Sequence, residues 1–225
     1  MAMNLAHITP SRVLAWLALL LICKVTIGVV IGYRDYLPPN FQADFLLGRE
    51  SYFWGAYSAA FYVHLVAGPA TLLWGTLLIS ERFRSVAPAW HRRLGRLQGA
   101  LVLLLLVPSG LWMSWYAATG AVAGLGLAVL AIATAVCVLL GWKAAVEGRL
   151  ADHRQWMGRL FMLLCSAVVI RMIGGLATVA GFDALWLYPL SAWASWLVPL
   201  VAFELSQSVG ARQELAALQR KAAAS

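Results

Sequence analysis

The chain contains four histidines, and two of them occupy near-duplicate settings. Trp90 to Leu97 reads WHRRLGRL, and Asp152 to Leu160 reads DHRQWMGRL. Imidazole beside guanidinium can hold an anion or donate to a quinone oxygen, and two facing imidazoles can ligate a haem iron or another metal. His91 and His153 are therefore candidate metal ligands, and Arg92, Arg96 and Arg159 join them as candidate cofactor-binding donors. The same residues have a plainer use. Arg at a helix end anchors on lipid phosphate, and Gly lets helices approach closely.

The elements that carry these residues belong to a bilayer. Only 12% of the residues are charged, about half the usual share in soluble domains. Apolar runs long enough to cross hydrocarbon lie near 13–32, 54–79, 96–116, 121–142, 158–180 and 186–207, six in all. They are continuous rather than alternating, which predicts helices and not a β-barrel. Leu37-Pro38-Pro39-Asn40, Thr119-Gly120 and Gly181-Phe182-Asp183 separate neighbouring runs. The expectation is an all-α membrane protein of six transmembrane helices. A single domain covers 1–207, and a helical tail follows over 208–225. The first run is too long for a signal sequence and has no A-x-A-like site, so it reads as an uncleaved span. Cys23, Cys137 and Cys165 all lie in apolar runs and read as small hydrophobes, not as a disulfide framework.

The net charge of +8 raises nucleic acid as a partner, but its distribution points elsewhere. With the N-terminus inside, even-numbered loops and both tails hold Arg12, Arg82, Arg84, Arg92, Arg93, Arg96, Lys143, Arg149, Arg154, Arg159, Arg212, Arg220 and Lys221. The odd-numbered loops hold Arg34 and Arg49. That bias selects N-in, C-in threading through a cell inner membrane, with the lipid bilayer and other membrane subunits as partners and no role for nucleic acid. Tyr33, Tyr52, Trp54, Trp115 and Trp186 then fall at the outer interface, and Trp90, Trp142 and Trp156 near the inner one.

Leu72-Leu73-Trp74-Gly75 precedes the first copy of the doubled motif, and Leu139-Leu140-Gly141-Trp142 precedes the second. Spans two and three thus read as a degenerate repeat of spans four and five, two helical hairpins of the same orientation. One inserted residue is needed to align Gly95 with Gly158.

Ionisable groups inside a membrane are functional candidates by default. Lys24, His64, Arg171 and Glu204 are the strong cases. From a rise of 1.5 Å per residue, Lys24, His64 and Arg171 all fall roughly 12–15 Å below the outer surface. In one use, Lys24 and Arg171 snorkel outward and His64 satisfies a carbonyl. In the other, the layer surrounds a haem propionate, a quinone oxygen or a lipid phosphate, with Ser58, Tyr62 and Ser166 nearby. His64 and Arg171 are the cofactor-binding candidates of this outer site. Glu204 lies near the inner end of span six, where Arg159 or Arg96 can pair with it.

His64 with Gly68-Pro69, the two doubled stretches and Val169-Ile170-Arg171 resemble domain-of-unknown-function family 2306, a set of multi-pass bacterial membrane proteins. The resemblance covers about half the chain. It implies an integral membrane fold and no particular activity. A weaker similarity is to the cytochrome b561 architecture, whose six helices carry histidine pairs for two haems. Here 121–142 contains no histidine, so that similarity leaves at most one bis-histidine haem, on His91 and His153.

There is no phosphate-binding loop, no HExxH and no CxxC. Gly68-Pro69 reads as a single kink, without the doubled break of a discontinuous-helix transporter. The leading functional expectation is a redox-associated module that binds haem b or a quinone. A non-enzymatic lipid-binding or complex-assembly subunit and a small transporter are the alternatives. Reporter fusions near residues 40 and 90 are expected to report opposite sides of the membrane; the same side at both positions overturns the threading.

Overall fold

The protein is described from a computed structural model, which covers residues 10–43 and 45–223. Helices make up the regular structure. Five stretches are long and apolar enough to cross a membrane: Val13–Asp35, Ala56–Leu78, Pro88–Trp115, Ala121–Val146 and Leu150–Val179. The apolar run expected over 186–207 lies within a longer helix, Leu187–Ala223, which passes the expected boundary at 207 without a break.

The chain forms two compact units, Met1–Ala59 and Ala60–Ser225. The first contains α1 (Pro10–Gly32), a single tight turn at Tyr33–Asp35, the short α2 (Glu50–Phe53) and the opening of α3 (Ala56–Leu78). An aromatic cluster organises its loop. Phe53 is fully buried and meets Phe41 edge to face, with ring centroids 5.3 Å apart. Arg49 is buried there as well. Its guanidinium lies over the Phe45 ring and bonds the Phe45 carbonyl at 2.5 Å and the Tyr52 hydroxyl at 3.0 Å. One of the two cations expected in the odd-numbered loops is thus held by rings and a carbonyl.

The second unit holds the rest of α3, then α4 (Glu81–Val86), α5 (Pro88–Leu101), α6 (Val107–Trp115), α7 (Ala121–Val146), α8 (Leu150–Leu164), α9 (Ser166–Val179) and α10 (Leu187–Ala223). Helix α7 packs against α5, α6, α8 and α10. Glycines let it do so. A Cβ at Gly99 of α5 would stand 3.2 Å from the Trp142 ring, and one at Gly141 would collide with Met157 and Trp156 of α8. Adjacent residues of α7, Gly141 and Trp142, therefore seat α8 and α5 respectively.

Two helices begin earlier than the apolar runs suggest. The third expected span, 96–116, is the end of a helical stretch that starts at Pro88. Proline suits a first turn, where its missing N–H is not needed. The fifth, expected over 158–180, starts at Leu150 with Asp152 in its first turn, where a carboxylate complements the helix dipole. Both copies of the doubled motif are therefore helical themselves. His91 and His153 are each the fourth residue of their helix.

Pro69 lies inside α3, which runs through it. A change of backbone type accompanies a second proline, Pro108. Between α5 and α6 the backbone widens into a π turn over Val102–Leu106, closed by the Val107 N–H on the Val102 carbonyl. Proline removes a helical N–H and crowds the carbonyl four residues back, and a π turn is one way to relieve both.

The second unit places polar groups inside and apolar ones outside. Thr71, Gln98, Ser109, Thr134, Ser191 and Ser195 are buried, while Val66, Leu104, Leu125, Leu139, Leu176 and Val201 are exposed. In water that pattern would be unstable; in hydrocarbon it is the favourable one. The packing generates a paired expectation. A Cβ at Gly158 would meet the Phe203 ring of α10, whereas the space beside Gly95 is open. Gly158→Leu should cost about 1–3 kcal/mol through overpacking. Gly95→Ala should be neutral or stabilising by up to about 1 kcal/mol through helix propensity. Thermal unfolding of both variants in detergent checks the contrast.

Candidate functional site

His64 stands eight residues after the start of α3 at Ala56. Arg171 stands eight residues before the end of α9 at Val179. At 1.5 Å per residue both lie about 12 Å from those helix ends. The fold brings the two together closely enough for the Arg171 charge to act on the His64 ring. Lys24, the third member of the expected layer, belongs to the first unit and is exposed on α1.

The His64 Nδ1 lies 3.1 Å from the Ser109 Oγ. Ser109 is the third residue after the π turn and next to Pro108. Its hydroxyl donates to the Leu105 carbonyl at 2.6 Å, with the Leu106 carbonyl at 3.1 Å. The one hydroxyl proton is therefore used on a backbone oxygen of the widened turn. The Ser109 Oγ can then only accept from His64, so the proton sits on Nδ1. The Leu106 carbonyl is a second acceptor facing the same ring. Neutral His64 is left with Nε2 as a free acceptor. Gly110 lets α6 lie against the ring, since a Cβ there would stand 3.4 Å from His64 Cε1.

Arg171 is exposed and donates to the Ala167 carbonyl of its own helix at 2.8 Å. Among the described residues no carboxylate forms an ion pair with it. A guanidinium uses five N–H donors, so most of its capacity remains for a ligand. Of the other polar residues expected nearby, Ser166 is buried at the start of α9. Ser58 lies in the first unit and donates to the Gly55 carbonyl at 2.9 Å. The Pro108–Ser109 element was absent from the expected site. Its signal was present in the sequence as Pro-Ser-Gly at 108–110, in the middle of an apolar run where a proline must disturb the backbone.

The doubled motif builds a second cluster. The His153 Nδ1 donates to the Gly141 carbonyl at 2.8 Å, which again leaves Nε2 free. The charges that reach His91 are those of His153, Arg84 and Arg92. Among the described residues the His91 Nδ1 is buried without a hydrogen-bond partner, and its ring leans on Phe83 with centroids 6.4 Å apart.

The two copies differ in what surrounds them. In the second, Arg159 binds Glu204 through two hydrogen bonds of 2.6 and 3.1 Å, and its guanidinium lies 4.5 Å from the Trp156 ring centroid. This is one of the two pairings anticipated for Glu204. Arg149, just before α8, is bound by Glu147 and Asp152, whose hydrogen bonds raise its pKa above the ordinary guanidinium value. In the first copy, Arg92 and Arg96 are exposed and have no ion-pair partner among the described residues. Among the described residues no group of three or more His, Cys, Asp or Glu side chains converges as a metal site. The haem reading of His91 and His153 gains nothing from this geometry, because the charges around His91 are cationic.

A family model described as "Predicted membrane protein (DUF2306)" matches residues 61–206. His64, both doubled stretches, Arg171 and Glu204 all fall inside that range. No curated protein and no solved structure matches the chain.

The hydrogen bonds generate a spectroscopic expectation. Nitrogen-15 histidine spectra should report a proton on the Nδ1 of both His64 and His153. Ser109→Ala should move the His64 Nδ1 signal and leave His153 unchanged; an unmoved His64 signal would mean that Ser109 does not hold the ring.

Proposed function

This chain belongs to the DUF2306 family of predicted membrane proteins, and we propose that it is a multi-pass inner-membrane protein that binds a quinone headgroup between α3, α6 and α9. In this reading α10 supplies a sixth span over 187–207, and both termini face the cytoplasm. The hairpins α3–α6 and α7–α9 are a degenerate repeat. Supporting the repeat, His91 and His153 hold the same register. Each backbone N–H closes its helix's first turn, on the Ala87 carbonyl at 2.9 Å and the Arg149 carbonyl at 3.0 Å.

The observation that carries the ligand is the pairing of one donor-rich cation with one acceptor nitrogen at a common depth. A quinone oxygen accepts hydrogen bonds, which Arg171 supplies. A quinol hydroxyl donates one, which the free Nε2 of His64 accepts. The quinone reading needs a single histidine. A bis-histidine haem at this depth needs two, and the His64 ring is instead tied to Ser109. The apolar surfaces of the surrounding helices suit an isoprenoid tail. The proposal is a binding site, with no reaction assigned.

The test is purification in mild detergent, organic extraction and mass spectrometry for quinone, with titration of a short-chain quinone analogue. Wild-type protein should bind the analogue. His64→Leu and Arg171→Gln should each weaken binding about tenfold, as expected for loss of a hydrogen bond to a charged or buried group of about 1.5 kcal/mol. A reduced-minus-oxidised spectrum should lack a Soret difference. Absence of both extracted quinone and analogue binding overturns the reading, and a Soret band would replace it with haem.

A further inference from the structure

We propose that the open copy of the doubled motif is a phosphate-binding site, formed by His91, Arg92 and Arg84 with His153 of the second copy, and that an anionic phospholipid headgroup is its ligand. The inference does not rest on the quinone reading, which concerns the other ends of α3 and α9.

Three independent observations converge on it. The first is convergence in space. His91 and His153 come from different helices at the same register, and each is within electrostatic reach of the other. Helix α7 enforces this arrangement: Trp142 seats Gly99 of α5, while the neighbouring Gly141 seats α8 and accepts the His153 Nδ1–H. His91 and His153 each lie in the first turns of their helices, near a positive dipole end.

The second is unbalanced charge. The described carboxylates of this rim are engaged by other cations: Glu81 by Arg84, Glu147 by Lys143 and Arg149, Asp152 by Arg149, and Glu204 by Arg159. Only Arg84 among the groups reaching His91 has a carboxylate partner, and that 3.3 Å contact is monodentate and exposed. Arg92 has none. Four basic groups therefore crowd one another with one acid among them. A group with several acceptor oxygens and negative charge would relieve that repulsion.

The third is an unmet valence. Among the described residues the His91 Nδ1 is buried with no partner, and the His153 Nε2, when the ring is protonated, is a further donor because its Nδ1 is already on the Gly141 carbonyl. In the second copy Arg159, the counterpart of Arg96, is bound by Glu204, and Gly158, the counterpart of Gly95, packs on Phe203. In the first, Gly95 has open space beside it and Arg96 is exposed. The two copies therefore differ in that the first is left uncovered at Gly95 and Arg96.

A phosphate could arrive as a phospholipid headgroup or free in solution. The test uses intact protein in detergent, probed separately with phosphatidylglycerol, phosphatidylcholine and inorganic phosphate. The readouts are native mass spectrometry for bound lipid and the shift in thermal unfolding. Phosphatidylglycerol should remain bound and raise the unfolding midpoint, whereas phosphatidylcholine should do so more weakly. Arg92→Gln should weaken phosphatidylglycerol binding about fivefold, the effect of about one basic residue near anionic lipid. Arg92→Lys should restore most of it, and His91→Gln should also weaken it. Arg212→Gln, in the exposed tail, should change nothing. If inorganic phosphate alone protects and Arg92→Gln abolishes this, the site stands with a soluble ligand. If neither ligand binds, or if Arg92→Gln and His91→Gln bind phosphatidylglycerol like wild type, the proposal is overturned. Both substituted side chains are at least partly solvent-accessible; folding of each variant is verified by its circular dichroism before binding is read.

Discussion

Inside hydrocarbon a polar group has no water to bond, so it must find its partner within the protein. That constraint organises the second unit. Its buried hydroxyls turn back on their own helices: Thr71 on the Ala67 carbonyl at 2.7 Å, Thr134 on Leu130 at 2.7 Å, Ser191 on Tyr188 at 2.8 Å. Each is satisfied locally and contributes nothing to which helices meet. The few polar bonds that cross between helices therefore carry most of the polar specificity. Gln98 of α5 reaches the Thr71 carbonyl of α3 at 2.8 Å. His64 of α3 reaches Ser109 of α6, His153 of α8 reaches Gly141 of α7, and Arg159 of α8 reaches Glu204 of α10. Trp193 of α10 reaches the Val122 carbonyl of α7 at 3.0 Å. Two of these five links use histidine, and in both the linking nitrogen is Nδ1. The other ring nitrogen is left for chemistry.

The same constraint explains why the π turn sits beside the candidate site. Pro108 cannot donate to the ladder, and the carbonyls of Leu105 and Leu106 lie within reach of the residue that follows it. Ser109 supplies one hydroxyl to them, and His64 supplies an N–H to Ser109. A backbone irregularity, a hydroxyl and an imidazole thus form one hydrogen-bonded chain. Its free end is the Nε2 of His64, on the side of the ring opposite the bond that orients it. An orienting bond on one nitrogen and availability on the other is the general way a protein sets up a histidine to bind or to accept a proton.

The doubled motif has been resolved into two different roles by its surroundings. Near-duplicate stretches begin α5 and α8, yet α10 lies against the second copy and covers it. Phe203 fills the space at Gly158, and Glu204 neutralises Arg159. Removing either member of that pair would leave the other without its counter-charge, a larger loss than the pair's own contribution. The first copy meets no such partner among the described residues. Similar sequence therefore gives packing at one end and exposed cation at the other.

Much of the fold was legible in the residues. Apolar run length marks a helix in lipid almost unaided, because no other continuous element satisfies its backbone there. Five of the expected spans coincide with helices of that kind, and the charged rim offered Arg159 and Arg96 as partners for Glu204, of which Arg159 is the one bound. The starts of α5 and α8 were misplaced, since hydropathy stops at the first arginine while a helix does not; Pro88 and Asp152 are what begin those helices. The positions of His64 and Arg171 along their helices were also readable, as both follow from counting. Their partner was not. Ser109 lies 45 positions from His64, and only the packing of α6 on α3 through Gly110 decides that they touch. Composition and periodicity are properties of one element and its solvent, so the sequence settles them. Which nitrogen of a histidine is free, and which arginine keeps its charge uncovered, depends on what a distant helix brings alongside, and tertiary packing alone decides that.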